Sequence, residues 1–398
     1  PGPRQGHPSG SVRTRPPDSP WLAVAVAAIT GLNPQFLFTS VTITNDAWVP
    51  AVSVVTLWLL ARATTRPKTR AQDWLLAGCC AGLAALTKYS CLLLALPALV
   101  LLWRYQRQGG WGRLWRAVGW LALGSALVAG WWYLRNVLLY GSPLPFAEMA
   151  IVLPTMQRPQ PMPLPQLIAT IPWLFTSYWG VFVSILAPPA YLNTTTWLML
   201  LAGAGLLAGW AMAWLSGRQR RPRPATLAQH TEGPTLNRDR AGVPVWVYVF
   251  ALAWFGAIFA GVVHWTRTIT FGEQGRLLHG AAPAFALLLV TGWTGWLPDA
   301  WRRWLVRLVP LLMLGIALWP LPTLQRAYAL PEALTPPPTP DRPIEATFAG
   351  GMRLVGLDLP DGAALAPGKR LPLTLFWQTD QEIPANYPLL VHLTDEQD

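Results

Sequence analysis

The sequence predicts an all-α polytopic membrane protein of about nine transmembrane helices, followed by a truncated C-terminal antiparallel β-sandwich. Three observations carry that reading. Of 398 residues, 53% are hydrophobic and only 12% are charged, against about a quarter charged in a soluble domain. Apolar runs of about 18 residues or more recur along the chain, the length that crosses a bilayer as a helix. Beyond a Pro-rich stretch near the C-terminus, the apolar spacing changes to a period of two, which is a strand pattern.

The apolar segments fall near 21–38, 46–61, 74–87, 90–103, 117–134, 195–215, 245–263, 277–297 and 303–321. If the first runs outward from the cytoplasm and orientation then alternates, basic residues collect on one side. That side receives Arg4, Arg13 and Arg15, the cluster Arg62–Arg70, and the cluster Arg104–Arg116. It also receives Arg218–Arg240 and Arg302–Arg307, twenty of the 30 basic residues in all. This is the positive-inside asymmetry. It also accounts for the net charge of +12, since the charges sit in short clusters between apolar runs, and it excludes nucleic acid as the partner. The organisation is then a cytoplasmic N-terminal segment (1–20), a membrane domain (21–330) with an outer loop at 141–194, a Pro-rich linker (331–344), and a partial extracytoplasmic β-sandwich (345–398). The chain opens on PGPRQG without Met and stops within the β domain, so a fragment of a longer protein is expected.

The three cysteines, Cys79, Cys80 and Cys91, all lie in apolar runs. Their spacing matches neither a disulfide framework nor a zinc site, and they read as helix-packing residues. No ligand cluster calls for a metal or other cofactor, although a divalent ion is compatible with the chemistry considered below. Nucleotide-binding glycine motifs are absent.

Basic clusters flank the stretch 74–103 on both sides, so it must be a hairpin. At 1.5 Å per residue, an arm of about 14 residues reaches only about 21 Å, short of a roughly 30 Å hydrocarbon core. The turn Thr87-Lys88-Tyr89-Ser90 is therefore expected below the outer surface. A lysine at that depth faces protein, water or an anionic ligand, or else snorkels to the headgroups.

The same topology gathers other polar groups on the outer side. Asn45 and Asp46 end NPQFLFTSVTITNDAW at the start of the second helix; they are ligands for a substrate or simple helix caps. GWWYLRNVLLYGSPLPF places Arg135, Asn136 and Tyr140 outside. Arg135 suits a bidentate phosphate contact or an interface anchor. The stretch IPWLFTSYWGVFV (171–183) reads as an interfacial helix within the outer loop. HWTRTITFGEQGRLLHGAAPAF brings His264, Arg267, Glu273, Gln274 and Arg276 just before a helix, an arrangement that suits an anion or a solvated loop.

Four stretches, NPQFLFTSVTITNDAW, GLAALTKYSCLLLALP, WWYLRNVLLYGSPL and QGRLLHGAAPA, in this order and spacing resemble bacterial lipid-carrier-dependent membrane glycosyltransferases. These are relatives of the protein O-mannosyltransferases of glycosyltransferase family 39 and of the aminoarabinose transferases, within the C superfamily. The resemblance covers roughly residues 21–300, and the β tail resembles the appendage of some large bacterial members. It implies a multi-pass protein of the bacterial plasma membrane that moves a hexose or pentose from a polyprenyl-phosphate carrier to an acceptor glycan, lipid or protein. The transfer is inverting and on the extracytoplasmic face. A carboxylate deprotonates the acceptor and cations hold the departing phosphate. The family's main base sits after its first helix, which the resemblance places upstream of Pro1.

Carried over by position, Asp46 matches a supporting acidic residue. Lys88 and Arg276 match donor-phosphate contacts, with Arg135 a third candidate. Asn45, Tyr89, Asn136, Tyr140, Glu273 and Gln274 line the substrate region. The rival readings are a transporter or flippase of a lipid-linked or anionic solute, an O-antigen ligase or polymerase-like enzyme, and a non-enzymatic scaffold for the β domain.

Overall fold

In a computed structural model, residues 19–152, 154–182, 185–219, 244–329, 339–348, 351–359 and 373–379 are described. Contacts divide the chain into two units, Pro1–Tyr328 and Ala329–Asp398. The first is helical, as apolar segments must be when their backbone groups have no water to bond. Its elements are α1 (Ser19–Gly31), α2 (Pro34–Ser40), α3 (Trp48–Thr65), α4 (Ala71–Thr87), α5 (Ala95–Ser125), α6 (Trp131–Tyr140) and α7 (Phe146–Val152). They continue as α8 (Leu164–Gly180), α9 (Pro189–Gln219), α10 (Val245–Thr268), α11 (Ala282–Thr294), α12 (Asp299–Leu318) and α13 (Leu321–Ala327). A two-residue hairpin, β1 (Val181–Phe182) with β2 (Ile185–Leu186), separates α8 from α9.

Local sequence explains the breaks. Pro34 in the first turn of α2 and the Asn33 side chain, which accepts from the Phe36 N–H at 2.9 Å, restart the helix after α1; this is N-capping with proline at the favoured position. The two helices meet at 60°. Within α5, Gly110 has φ 74° and ψ 176°, a conformation glycine adopts without a Cβ clash. The chain doubles back there. Trp74 of α4 packs on Tyr105, before the break, with ring centroids 4.9 Å apart. Past the break, the Ser125 hydroxyl donates to the Gly78 carbonyl at 3.0 Å, and the Tyr133 hydroxyl donates to the Ala85 carbonyl at 3.1 Å. The anticipated hairpin thus exists, with Lys88 between its arms.

Among the described residues six helices are long and apolar enough to cross a membrane, or seven if α1 and α2 form one bent span. The sequence anticipates about nine. The difference lies in two places: α4 has 17 residues, about 26 Å at 1.5 Å per residue, and Tyr89–Tyr140 counts as one span of 52 residues although it folds at Gly110.

Small residues set the closest helix contacts. A Cβ on Gly78 would lie 2.2 Å from the Leu121 carbonyl oxygen, and one on Gly124 would lie 2.3 Å from that of Leu75. Such close backbone approach at small residues is how membrane helices associate. The core beneath the site end contains Ile29, Leu57, Leu174, Tyr178, Leu278 and Val290, all fully buried. Many large apolar side chains stay outside, including Leu127, Leu138, Trp197, Leu207 and Trp210, as lipid contact requires.

The end opposite Lys88 is basic. Arg66 pairs with Asp73 at 3.7 Å, Arg104 stacks over Trp246 at 4.4 Å, and Arg113 donates to the Tyr105 hydroxyl at 2.7 Å. Arg302, Arg303 and Arg307 lie in α12, with Arg307 over the Trp21 and Trp304 rings, each at 5.9 Å. The remaining expected basic clusters, apart from Arg218, fall in 1–18 and 220–243, outside the described residues.

In the second unit, β3 (Arg342–Phe348), β4 (Met352–Asp358) and β5 (Thr374–Thr379) form an antiparallel sheet in that order, with Phe348 against Trp377 at 5.3 Å. The described residues give one small sheet. The further strands of the expected sandwich, such as YPLLVHL, fall outside the described residues.

Gly78→Ala is expected to lower thermal stability in detergent by roughly 1–3 kcal/mol, the usual range for overpacking. Gly119, which has open space around it in the same helix pair, should gain up to about 1 kcal/mol from alanine. Equal effects at both positions would contradict the packing described.

Candidate functional site

Three segments distant in sequence meet at one end of the helical unit. At the first, Thr44 is extended and its side-chain oxygen accepts from the Asp46 N–H at 2.9 Å. The turn Asn45–Ala47 then leads into α3. Because Thr44 supplies this cap, the Asp46 carboxylate is free to face elsewhere. Asp46 does not act as a side-chain cap of α3, which has none; its carboxylate has other partners.

At the second segment, α4 ends at Thr87 and Lys88 takes an extended conformation before a 3-10 turn, Tyr89–Leu94. Its ammonium group donates to Asp46 Oδ1, and the Asn45 side-chain amide donates to the Thr87 carbonyl at 3.3 Å. The lysine does not simply extend into solvent, since 28% of its side chain is exposed against 13% for Asp46.

The third segment is the 3-10 turn Gly275–Ala281. The Gly275 N–H donates to Ser177 Oγ at 2.7 Å, and a Cβ on Gly275 would lie 2.1 Å from the Leu174 carbonyl oxygen. Only glycine lets this turn press against α8, and that contact carries Arg276 to Asp46. Arg276 Nε lies 3.6 Å from Asp46 Oδ2 and donates to Gln274 Oε1 at 2.8 Å. One carboxylate thus faces two cations. In a partly buried setting such pairs are screened less than on an open surface.

A cavity of about 310 Å³ opens beside Arg276. Its wall carries hydroxyls of Thr39, Thr42, Thr44 and Ser177, amides of Gln35 and Gln274, and the rings of Phe38 and Trp173. Polar groups on an aromatic-backed wall suit a hydroxylated ligand.

The remaining expected residues have other partners. Glu273 lines the cavity, but its carboxylate pairs with Arg158. Arg158 Nε also donates to the Thr266 and Ile269 carbonyls, each at 3.1 Å, and Gln157 bridges Ile269. This clasp ties the long loop after α6 to the loop before Arg276. Arg135 is exposed, lies over Trp132 at 5.2 Å and contacts Asn136 Oδ1 at 3.5 Å. Among the described residues it has no carboxylate partner and no contact with Asp46, Lys88 or Arg276. Asn136 is buried and donates to the Pro143 carbonyl at 3.1 Å; with Gly141 at φ 70° it closes the turn that ends α6. Tyr140 is 41% exposed, and Tyr89 packs edge-on against Phe146 at 5.5 Å.

His279 and Tyr178 escaped the sequence reading. His279 is 2% exposed, and it stands edge-on to Phe36 at 5.6 Å and to Tyr178 at 4.9 Å. Among the described residues its Nε2 and the Tyr178 hydroxyl are buried without a hydrogen-bond partner. Burial raises the Tyr178 phenol above its ordinary range and keeps it neutral. A signal for His279 existed: in a 3-10 turn, residues three apart eclipse, and it lies three residues after Arg276. No three His, Cys, Asp or Glu side chains stand together as a metal site among the described residues.

Residues 17–133 match the family model described as dolichyl-phosphate-mannose-protein mannosyltransferase. With the apolar helices, the match supports an integral membrane glycosyltransferase. It is consistent with a lipid-phosphate sugar donor and a glycan or protein acceptor. The matched stretch is less than a third of the 398-residue chain; it contains Asp46 and Lys88 and ends before Arg276. No curated protein and no solved structure matches the chain.

Arg158→Ala and Glu273→Ala are expected to destabilise the protein non-additively. A double-mutant cycle on thermal unfolding should return a coupling on the order of 1 kcal/mol. Additive losses would mean that the clasp contributes nothing as a pair.

Proposed function

We propose that this protein transfers a sugar from a polyprenyl-phosphate carrier to an acceptor at the extracytoplasmic face of a bacterial plasma membrane, with inversion at the anomeric carbon. The observation that carries the reading is the convergence of Lys88 and Arg276, 188 positions apart in the sequence, on one partly buried point beside a polar cavity. Two cations held near the bilayer are costly unless an anion uses them, and the donor's phosphate is such an anion.

In the proposed reaction the acceptor hydroxyl attacks the anomeric carbon from the face opposite the phosphate. The carbon–oxygen bond to phosphate breaks and its electron pair stays on the phosphate oxygen. Lys88 and Arg276 stabilise that developing charge, which preorganised cations do best in a site with little water. The acceptor proton leaves to a general base. Asp46 acts as a supporting residue, since both of its oxygens face cations, and it holds the two side chains at one point. The cavity beside Arg276, with Gln274 and Glu273 on its rim, takes the hydroxylated part of donor or acceptor. Arg135 reads as an anchor of α6 rather than a phosphate contact, because it stacks on Trp132 away from the other two. Asn136, Tyr140, Tyr89 and Asn45 shape the surrounding turns.

Transfer of label from a purified polyprenyl-phosphate sugar, with the full chain in lipid nanodiscs, tests the reading. Lys88→Met and Arg276→Met should each lower kcat/KM roughly tenfold to a hundredfold, the worth of about 1.5–3 kcal/mol for a bond to a charged group. Arg135→Met should change it by less than about threefold, as expected for an exposed charge. Full activity in both of the first two variants would remove the phosphate assignment.

A further inference from the structure

Asp46 is the least exposed member of its cluster and touches both cations. Glu273, the other nearby acid, is engaged by Arg158. The cluster therefore carries two positive charges and one negative, a single net positive charge. Both cations keep donors for a ligand. Lys88 has three N–H groups, and one reaches Asp46; the contacts of Arg276 with Asp46 and Gln274 both use Nε, leaving its terminal nitrogens without a partner among the described residues.

We propose that Asp46 sets the charge of this subsite so that it accepts a singly charged phosphodiester and releases a doubly charged phosphomonoester. The inference rests on the reading of Lys88 and Arg276 as the phosphate contacts. A sugar linked through phosphate to a lipid is a diester with one negative charge. Transfer breaks the sugar–oxygen bond, leaves its electron pair on the phosphate and passes the acceptor's proton to a base. The lipid product is then a monoester, whose second ionisation lies near pH 6, so at neutral pH it carries close to two negative charges. Two cations without a carboxylate would hold that product more tightly than the donor and slow its release. With Asp46 present, the second charge of the product meets a carboxylate at short range in a partly buried site, where repulsion is weakly screened. Discrimination arises from a repulsive element as much as from the attractive ones.

The test compares geranyl phosphate with geranyl methyl phosphate, a monoester and a diester on the same lipid, by titration calorimetry in nanodiscs. Asp46→Asn should raise the monoester-to-diester affinity ratio about tenfold above pH 6 and little below it, following the second ionisation of the ligand. The charge-balanced double variant Asp46→Asn/Lys88→Met should bring the ratio back to the wild-type value, which a purely structural role for Asp46 would not do. Lys88→Met alone, with Asp46 kept, should lower the ratio, and this arm stands even if Asp46→Asn fails to fold. A ratio that stays constant while the variants still bind the diester overturns the inference. If the unmodified protein binds neither ligand, the phosphate-site reading itself fails.

Discussion

A charge placed at the end of a membrane helix bundle needs a counter-charge, and in this protein Asp46 supplies it for two residues at once. Lys88 comes from the tip of a helical hairpin and Arg276 from a 3-10 turn before α11, while Asp46 opens α3. Removing one partner of a buried pair leaves a charge that the surroundings cannot solvate. The three segments are therefore locked together at their ends by electrostatics and along their lengths by packing. The 3.6 Å separation of Arg276 from Asp46, longer than a hydrogen bond, leaves the guanidinium free to serve another anion as well.

That cluster depends on backbone approach as much as on charge. Gly78 and Gly124 bring α4 against the second arm of α5, which sets where the Lys88 turn ends up. Gly110 allows α5 to reverse, so a hairpin arm is followed at once by a further apolar arm that continues into α6. Gly275 performs the same service for Arg276 by letting its turn touch the backbone of α8. At each of these points a side chain would occupy space already filled by a carbonyl oxygen or leave the φ angle strained. Charge provides the attraction, and the glycines provide the geometry in which it acts over a few ångströms.

The loop after α6 is secured separately. Arg158 joins the Glu273 carboxylate to two backbone carbonyls, and a bridge between Gln157 and Ile269 adds backbone pairing. This anchoring holds one wall of the cavity without using Lys88 or Arg276. Arg158 and its partners are thereby kept apart from the cluster around Asp46. Arg158 is satisfied by protein groups on several sides, whereas Arg276 shares one carboxylate and one amide.

Hydropathy and charge, read along the chain, determined that this is a helical membrane protein with a small β region near its end, because apolar length and basic clusters are local properties. The same reading brought Lys88 to a hairpin tip and put Asp46 and Arg276 on its side of the bundle. Tertiary structure alone decided which of the polar residues there meet. Asp46 could have capped its own helix, and it does not: α3 has no side-chain cap, and the carboxylate faces Lys88 and Arg276. Glu273 could have paired with Arg276, three positions along the chain, and it faces Arg158 instead. Arg135 suited a phosphate by its chemistry, but it lies over the Trp132 ring, three positions earlier in the chain. Buried His279 and Tyr178 come together only where α2, α8 and the Gly275 turn pack. The physical reason is common to all four cases: a hydropathy pattern depends on neighbours within one helix, whereas an ion pair or a buried polar contact depends on which distant backbones can approach within a few ångströms.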